Sequence, residues 1–312
     1  MATIVVALGG NAIAGPKGAG TFAEQYAQVN AACVAIAGLV QAGHRIVVTH
    51  GNGPQVGNIL LQNERCRDLI PPVPLDACGA QSQGLLGYMF QQALRNHLRE
   101  LGLAVEVVTL ITQTEVDPSD PAFSNPTKPI GPFYTEEQAR ALMAEEGLVF
   151  KEDAGRGWRR VVPSPDPRGI VEKEAIKRFL AEGWIVVACG GGGVPVVRTA
   201  EGRLVGVEAV IDKDLAAERL AQDVGADRLL VLTDVDRVYL NYGRPDQTPL
   251  DRMTVAEGRR YQREGHFKAG SMGPKVEAAL RFVESGQGIA VIGPLSAPLQ
   301  ALSGELGTCV VP

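Results

Sequence analysis

Apolar, strand-forming runs alternate along this chain with stretches whose apolar residues recur at helical spacing. Residues 3–8, 45–49, 103–111, 184–189, 228–233 and 288–292 read as strands. Residues 22–42, 55–69, 76–101, 170–182, 213–224 and 275–285 read as amphipathic helices. The strands are apolar on both faces, so the pattern predicts a largely parallel sheet buried between two helical layers. The expected class is an α/β sandwich.

One segment interrupts the alternation. Residues 117–168 hold eight of the twenty prolines, and "EDAGRGWRRVV", with Trp158, reads as a small hairpin rather than a βα unit. An excursion of that length within a compact domain is expected to be a lid or a small subdomain. No internal repeat or low-complexity tract accompanies it.

Three glycine-rich turns each follow a strand: Gly9-Gly10-Asn11, "THGNGPQVGN" (residues 49–58) and "CGGGGVPVV" (residues 189–197). Any one of them is as readily an element stop as a ligand loop. Three at the carboxyl edge of one parallel sheet point instead to a shared cleft for a phosphate or small anion, with Gly191 and Gly192 among its candidate contacts. The first turn is no P-loop, because G-x-x-x-x-G-K-[S/T] is absent and Lys17 lies in a Pro/Gly/Ala stretch unsuited to open a helix. His50 has no Ser, Cys or carboxylate motif beside it and reads as a packed or capping residue.

A phosphate site needs cations, and two lysines stand out. Lys213 lies between Asp212 and Asp214 where a helix starts, and Lys275 follows Pro274 in the first turn of another. Helix N-termini disfavour an ammonium, so each requires a negative partner: Asp214 from within the protein, and a phosphate for the rest. Taken singly, each reads more readily as a surface lysine beside a capping aspartate. Lys128, in "NPTKPIGPFY", falls inside the Pro-rich excursion, where a lid can carry it over a transferred phosphoryl group. Asp234, in "TDVDRVYLNYG", either bonds a ribose or caps its turn, and Tyr242 either stacks on a base or closes that turn.

Composition narrows the partners. The 312 residues are 45% hydrophobic and 21% charged, and the net charge of −5 is dispersed without a basic stripe, which argues against nucleic acid. Five scattered cysteines without C-x-x-C argue against a disulfide framework or a zinc site and suit a reducing compartment. No apolar run reaches membrane-spanning length and no basic n-region precedes the first strand, so a cytoplasmic protein is expected.

Together, "ALGGNA", "THGNGPQVGN", "PLDACGAQSQG", "NPTKPIGPFY", "VACGGGGVPV", "VIDKDLA", "TDVDRVYLNYG" and "GSMGPKVEAA" closely resemble the carbamate kinases of the amino acid kinase superfamily, over essentially the whole chain. "NPTKPIGPFY" is the motif most particular to that branch. The resemblance implies a three-layer αβα sandwich with a mainly parallel open sheet. It implies one domain over residues 1–312, with a carbamate-side lobe to 207, a protruding subdomain near 117–168 and a nucleotide-side lobe from 208. It implies reversible phosphoryl transfer between ATP, with Mg²⁺ held by the nucleotide phosphates, and carbamate, giving ADP and carbamoyl phosphate. In fermentative arginine breakdown, by the arginine deiminase route, such enzymes run toward ATP. By the same resemblance Gly9, Gly10 and Asn11 embrace the phosphoryl group, and Gly51 and Asn52 hold carbamate. Lys213 and Lys275 neutralise the phosphates, Asp214 orients that pair, and Lys128 reaches in from the subdomain. Asp234, Tyr242 and Met272 lie near the nucleotide, and the protein is expected to be a homodimer. The rival readings are a superfamily kinase with a larger acceptor, such as acetylglutamate, and a nucleotide-binding protein without catalysis.

Overall fold

Every residue of the first strand, β1 (Thr3–Leu8), is buried, and its side chains alternate between two separate cores. A computed structural model of the chain describes residues 1–10, 13, 20–153, 155–268 and 270–312. After β1 come α1 (Phe22–Gln41), β2 (Arg45–His50), α2 (Gly53–Arg65), α3 (Leu75–Glu100), β3 (Val107–Thr109) and β4 (Gln113–Val116). The Pro-rich segment holds β5 (Lys128–Tyr134), α4 (Glu136–Glu146), β6 (Phe150–Glu152) and β7 (Trp158–Val162). Then follow β8 (Pro167–Ile170), α5 (Lys173–Ala181), β9 (Ile185–Val187), β10 (Val194–Arg198), β11 (Leu204–Gly206), α6 (Lys213–Val224) and β12 (Arg228–Thr233). The chain ends in β13 (Val238–Leu240), β14 (Thr248–Leu250), β15 (Arg252–Thr254), α7 (Val255–Arg263), α8 (Met272–Glu284), β16 (Ile289–Pro294), α9 (Pro298–Ser303) and β17 (Thr308–Val311).

The main sheet runs β15-β17-β16-β12-β1-β2-β9-β3 and is parallel throughout except for the β16–β17 pair. Period-two alternation assigns its side chains to the two cores. Ile4, Val6, Leu8, Ile46 and Val48 pack toward α1 and α3, while Val5, Ala7, Val47, Leu229 and Val231 pack toward α5, α6 and α8. This is the sandwich expected from the sequence. Because β1 lies between β2 and β12, the turns after these strands leave the same carboxyl edge on either side of a reversal in strand order, where open α/β sheets bind ligands.

The excursion forms a small antiparallel sheet, β5-β7-β6, with the expected hairpin between β6 and β7. It also contains α4, which the sequence reading passed over although Thr135 and Gln138 close a full capping box at its start. Its two ends are tied together: the backbone N–H of Asp166 donates to Asp120 Oδ2 at 3.0 Å. A further sheet, β11-β10-β4-β8, was also not anticipated, since its strands are short and β10 reads as the tail of a glycine turn. It corrects two boundaries. The helix expected from 170 starts at Lys173, because Pro167–Ile170 pairs with β4, and the strand expected over 103–111 shrinks to Val107–Thr109.

Helix α3 lies so close to β3 that a Cβ at Gly87 would collide with the Thr109 methyl group, and Thr109 Oγ1 donates to the Gly87 carbonyl at 3.0 Å. Gly87→Ala is therefore expected to lower stability by about 1–3 kcal/mol through overpacking. Adding Thr109→Ser, which removes the obstructing methyl and keeps the hydroxyl, should restore most of the loss in denaturant unfolding. A neutral Gly87→Ala would show that the helix and strand part freely.

Candidate active site

The turns at the carboxyl ends of β1, β2, β9 and β12 open into one cleft of about 1010 Å³. Gly9, Gly10, Gly51, Asn52, Gly191, Lys128, Lys213, Asp214, Asp234, Tyr242, Met272 and Lys275 all line it. Gly192 does not. Its carbonyl accepts from Thr114 Oγ1 at 2.9 Å, and a Cβ there would press on the Ile211 carbonyl at 2.5 Å, so it packs behind the cleft wall. Asn11 and Lys17 lie outside the described residues.

The glycines are required by close approach. A Cβ at Gly51 would stand 3.1 Å from Gly10 Cα and 3.3 Å from Lys213 Cδ, so only bare backbone lets the first two turns meet beside the lysine stem. Gly191 has φ +68°, and any side chain there would run into the Asn52 carboxamide. The Asn52 amide is in turn aimed by Ser82, whose Oγ accepts from Nδ2 at 2.7 Å. Ser82 is a positioning residue that the sequence reading did not single out, although it lies in the "PLDACGAQSQG" motif. His50 is packed, as expected: it stacks on Phe90 at 5.3 Å and bonds the Gly51 carbonyl through Nδ1 at 2.9 Å. Burial pushes it down to about 4, so it stays neutral and too weakly basic to take a proton at neutral pH.

The cations converge. Lys213 Nζ donates to Asp214 Oδ1 at 2.5 Å, and Lys275 Nζ donates to Oδ2 of the same carboxylate at 3.0 Å. Lys213 opens α6, where Asp212 caps the helix by accepting from the Asp214 backbone N–H at 2.9 Å, and Lys275 lies in the first turn of α8. Asp214 is buried, which alone would push its pKa up, but two ammonium groups hold it below the usual carboxylate range. Burial draws Lys213 down, Asp214 opposes that, and the neighbouring Lys275 charge adds to it, leaving Lys213 below the ordinary lysine value. One carboxylate facing two cations leaves a surplus positive charge at the cleft wall, which an anion is suited to neutralise.

On the opposite lip the small sheet contributes Lys128, Arg156 and Arg159. The two guanidiniums lie 5.2 and 5.3 Å from the Phe133 ring. Sequence reading missed both arginines, because nothing along the chain shows which face of the β6–β7 hairpin turns toward the cleft. Among the described residues no group of three His, Cys, Asp or Glu side chains is placed to hold a metal. Both Asp214 oxygens are taken by lysines, and Asp212 is taken by Lys128 and by a backbone N–H.

A model of the amino acid kinase family matches residues 2–293. The carbamate kinase of Pyrococcus horikoshii is 55% identical over 311 residues, covering 99% of each chain, and that of Pyrococcus furiosus is 53% identical over the same share. The chain belongs to the carbamate kinases of the amino acid kinase family. A solved structure of carbamate kinase from Giardia lamblia bound to AMP-PNP superposes with a TM-score of 0.94 at 45% identity, covering 99% of this chain and 98% of that one. The protein is thus a kinase, a phosphotransferase, and the resemblance read from the motifs holds end to end. The N-acetylglutamate synthase of Neisseria gonorrhoeae, at 18% identity and a TM-score of 0.59, shares the fold.

Turnover by this kinase should fall on the alkaline side at a pH below the ordinary lysine range, as Lys213 loses its proton. Asp214→Asn removes the attraction that keeps that proton, so the residual activity of the variant should lose its alkaline limb at still lower pH. A pH–kcat profile measures both, and a limb that stays put or moves up in Asp214→Asn would contradict the assignment of Lys213 and Asp214 as a coupled pair.

Proposed function

We propose that the chain catalyses reversible phosphoryl transfer between ATP and carbamate, giving ADP and carbamoyl phosphate, and that it works mainly toward ATP in arginine breakdown. The observation that carries this reading is the meeting of Lys213 and Lys275 on Asp214 at the glycine-lined wall, with Lys128 on the facing lip. The Giardia relative, which binds AMP-PNP, supports a nucleotide at the Asp234, Tyr242 and Met272 end of the cleft.

Bringing two anions together is the main barrier to the reaction. Carbamate is already an anionic oxygen nucleophile, so the reaction needs no general base, and a neutral, packed His50 is consistent with that. What the transfer does need is positioning and positive charge around the migrating group. In this reading Gly9, Gly10 and Asn11 embrace that group and Gly51 and Asn52 hold carbamate. Lys213 and Lys275 neutralise charge on the phosphates, and Lys128 reaches in from the subdomain. Since the nearby carboxylate oxygens are already engaged, Mg²⁺ fits as an ion held by the nucleotide phosphates and water, where it shields their charge. The direction toward ATP follows from carbamoyl phosphate being a mixed anhydride, whose phosphoryl group passes downhill to ADP.

The same reading treats residues 1–312 as one unit with a carbamate-side lobe to 207, a nucleotide-side lobe from 208 and the protruding subdomain near 117–168. It includes a cytoplasmic homodimer. Among the described residues no helix is long and apolar enough to cross a membrane. The exposed Leu85 and Tyr88 on α3 and Ile111 beyond β3, at one edge of the main sheet, are suited to a subunit contact.

A coupled assay of ATP formed from carbamoyl phosphate and ADP, run beside ATP consumption with acetylglutamate, tests the substrate. Turnover of acetylglutamate without turnover of carbamoyl phosphate would defeat the proposal. Lys275→Ala should lower kcat by about a hundredfold or more, the scale of losing one transition-state charge contact. Lys128→Ala should reduce kcat more than ADP affinity; a collapse of ADP binding instead would move Lys128 into the nucleotide site.

A further inference from the structure

Lys128 does not hang free over the cleft. Its Nζ donates to Asp212 Oδ2 at 2.8 Å, a contact between residues 84 positions apart that joins the protruding sheet to the start of α6. The other Asp212 oxygen, Oδ1, accepts from the backbone N–H of Asp214 at 2.9 Å, and the side chain of Asp214 carries Lys213 and Lys275. One short stretch of chain, Asp212 to Asp214, therefore holds or touches three of the four lysines that line the cleft, Lys268 being the fourth. A lysine side chain has about 2 kcal/mol of rotamer entropy to lose, so an ammonium at a half-open lip is poorly placed unless a partner fixes it. The seating of the subdomain does not depend on this pair: the Val210 backbone N–H donates to the Pro163 carbonyl at 3.0 Å, and Arg160 pairs with Glu208 at 2.7 Å.

We propose that Asp212 is a positioning residue for the transfer, which sets the ammonium of Lys128 against the same helix start that carries Lys213 and Asp214, so that one segment aligns the cations from both lips. The helix-capping bond is its second task, and the two are separable. This inference rests on the reading of Lys128 as a phosphoryl-handling residue.

The test is a cycle of variants assayed for ATP formation from carbamoyl phosphate and ADP. Asp212→Asn keeps a good capping side chain and removes the charge. It should lower kcat on the order of tenfold with the KM for ADP changed by less than about twofold, the scale of coupling between groups in contact. In a Lys128→Ala background the same substitution should change kcat by less than about twofold, because the group it positions is gone. Asp212→Ser, also a capping residue without charge, should repeat the result, and the thermal midpoints of both should stay close to that of the unsubstituted protein. An unchanged or raised kcat in Asp212→Asn overturns the proposal, and so does an equal loss with and without Lys128, which would place the effect on Lys213 or on helix capping. If Lys128→Ala itself leaves kcat unchanged, the reading of Lys128 falls and this inference with it. If Lys128→Ala lowers kcat while Asp212→Asn does not, the inference alone falls.

Discussion

The structure depends on one buried carboxylate shared by two ammonium groups. Desolvating an ion costs several kcal/mol even after relaxation, so Asp214, Lys213 and Lys275 can occupy this cleft wall only as a set. The set is not neutral: two cations face one anion, and the fold holds the excess charge beside glycine turns whose backbone leaves room for a ligand. A site with a standing positive surplus, little exposed to water, is already arranged for charge that develops on a phosphoryl group in flight.

The sheet makes that set achievable. Lys213 and Lys275 lie 62 positions apart on different helices, and each is brought in by a helix start directed at the carboxyl edge of the parallel sheet. The two-sided core holds those helices rigidly, since α6 and α8 both bury apolar faces against β1, β12 and β16. The glycine turns complete the arrangement. Gly10 and Gly51 meet without side chains, Gly191 yields its space to Asn52, and Ser82 fixes the Asn52 amide, so the anion-facing wall is built from backbone and carboxamide.

Much of this was legible along the chain because it has local causes. Strand and helix periodicity gave the sandwich, and glycines directly after apolar strands gave the cleft edge. An Asp-Lys-Asp at a helix start, and a lysine behind Gly-Pro at another, gave the cations. What was not legible depends on three-dimensional pairing. The β11-β10-β4-β8 sheet is assembled from strands of three to five residues whose order is scrambled relative to sequence. Gly192, read as a phosphoryl contact, packs against Ile211 and Thr114, because in a run of four glycines the sequence does not show which one faces outward. Asp212 was visible as a neighbour of Lys213 at a helix start and nothing more, since its link to Lys128 joins residues 84 positions apart. By contrast α4 was missed although its capping box is written locally in "TEEQ", masked by the prolines around it.

The contrast with a P-loop explains why the cations are dispersed. A P-loop concentrates phosphate contacts in one short loop and one lysine, so much of its binding geometry is encoded locally. Here the cleft lining comes from separate turns, two helix starts and the small sheet, and no segment forms the cleft alone. Such a site exists only when the whole domain is folded and the lip is seated. The arrangement also gathers cations from three separate elements around one helix start, which a single loop cannot do. In the proposed reaction, whose barrier is the approach of two anions, cations gathered at one point would lower the repulsion where the group is transferred, whereas a loop at one end would stabilise mainly the nucleotide.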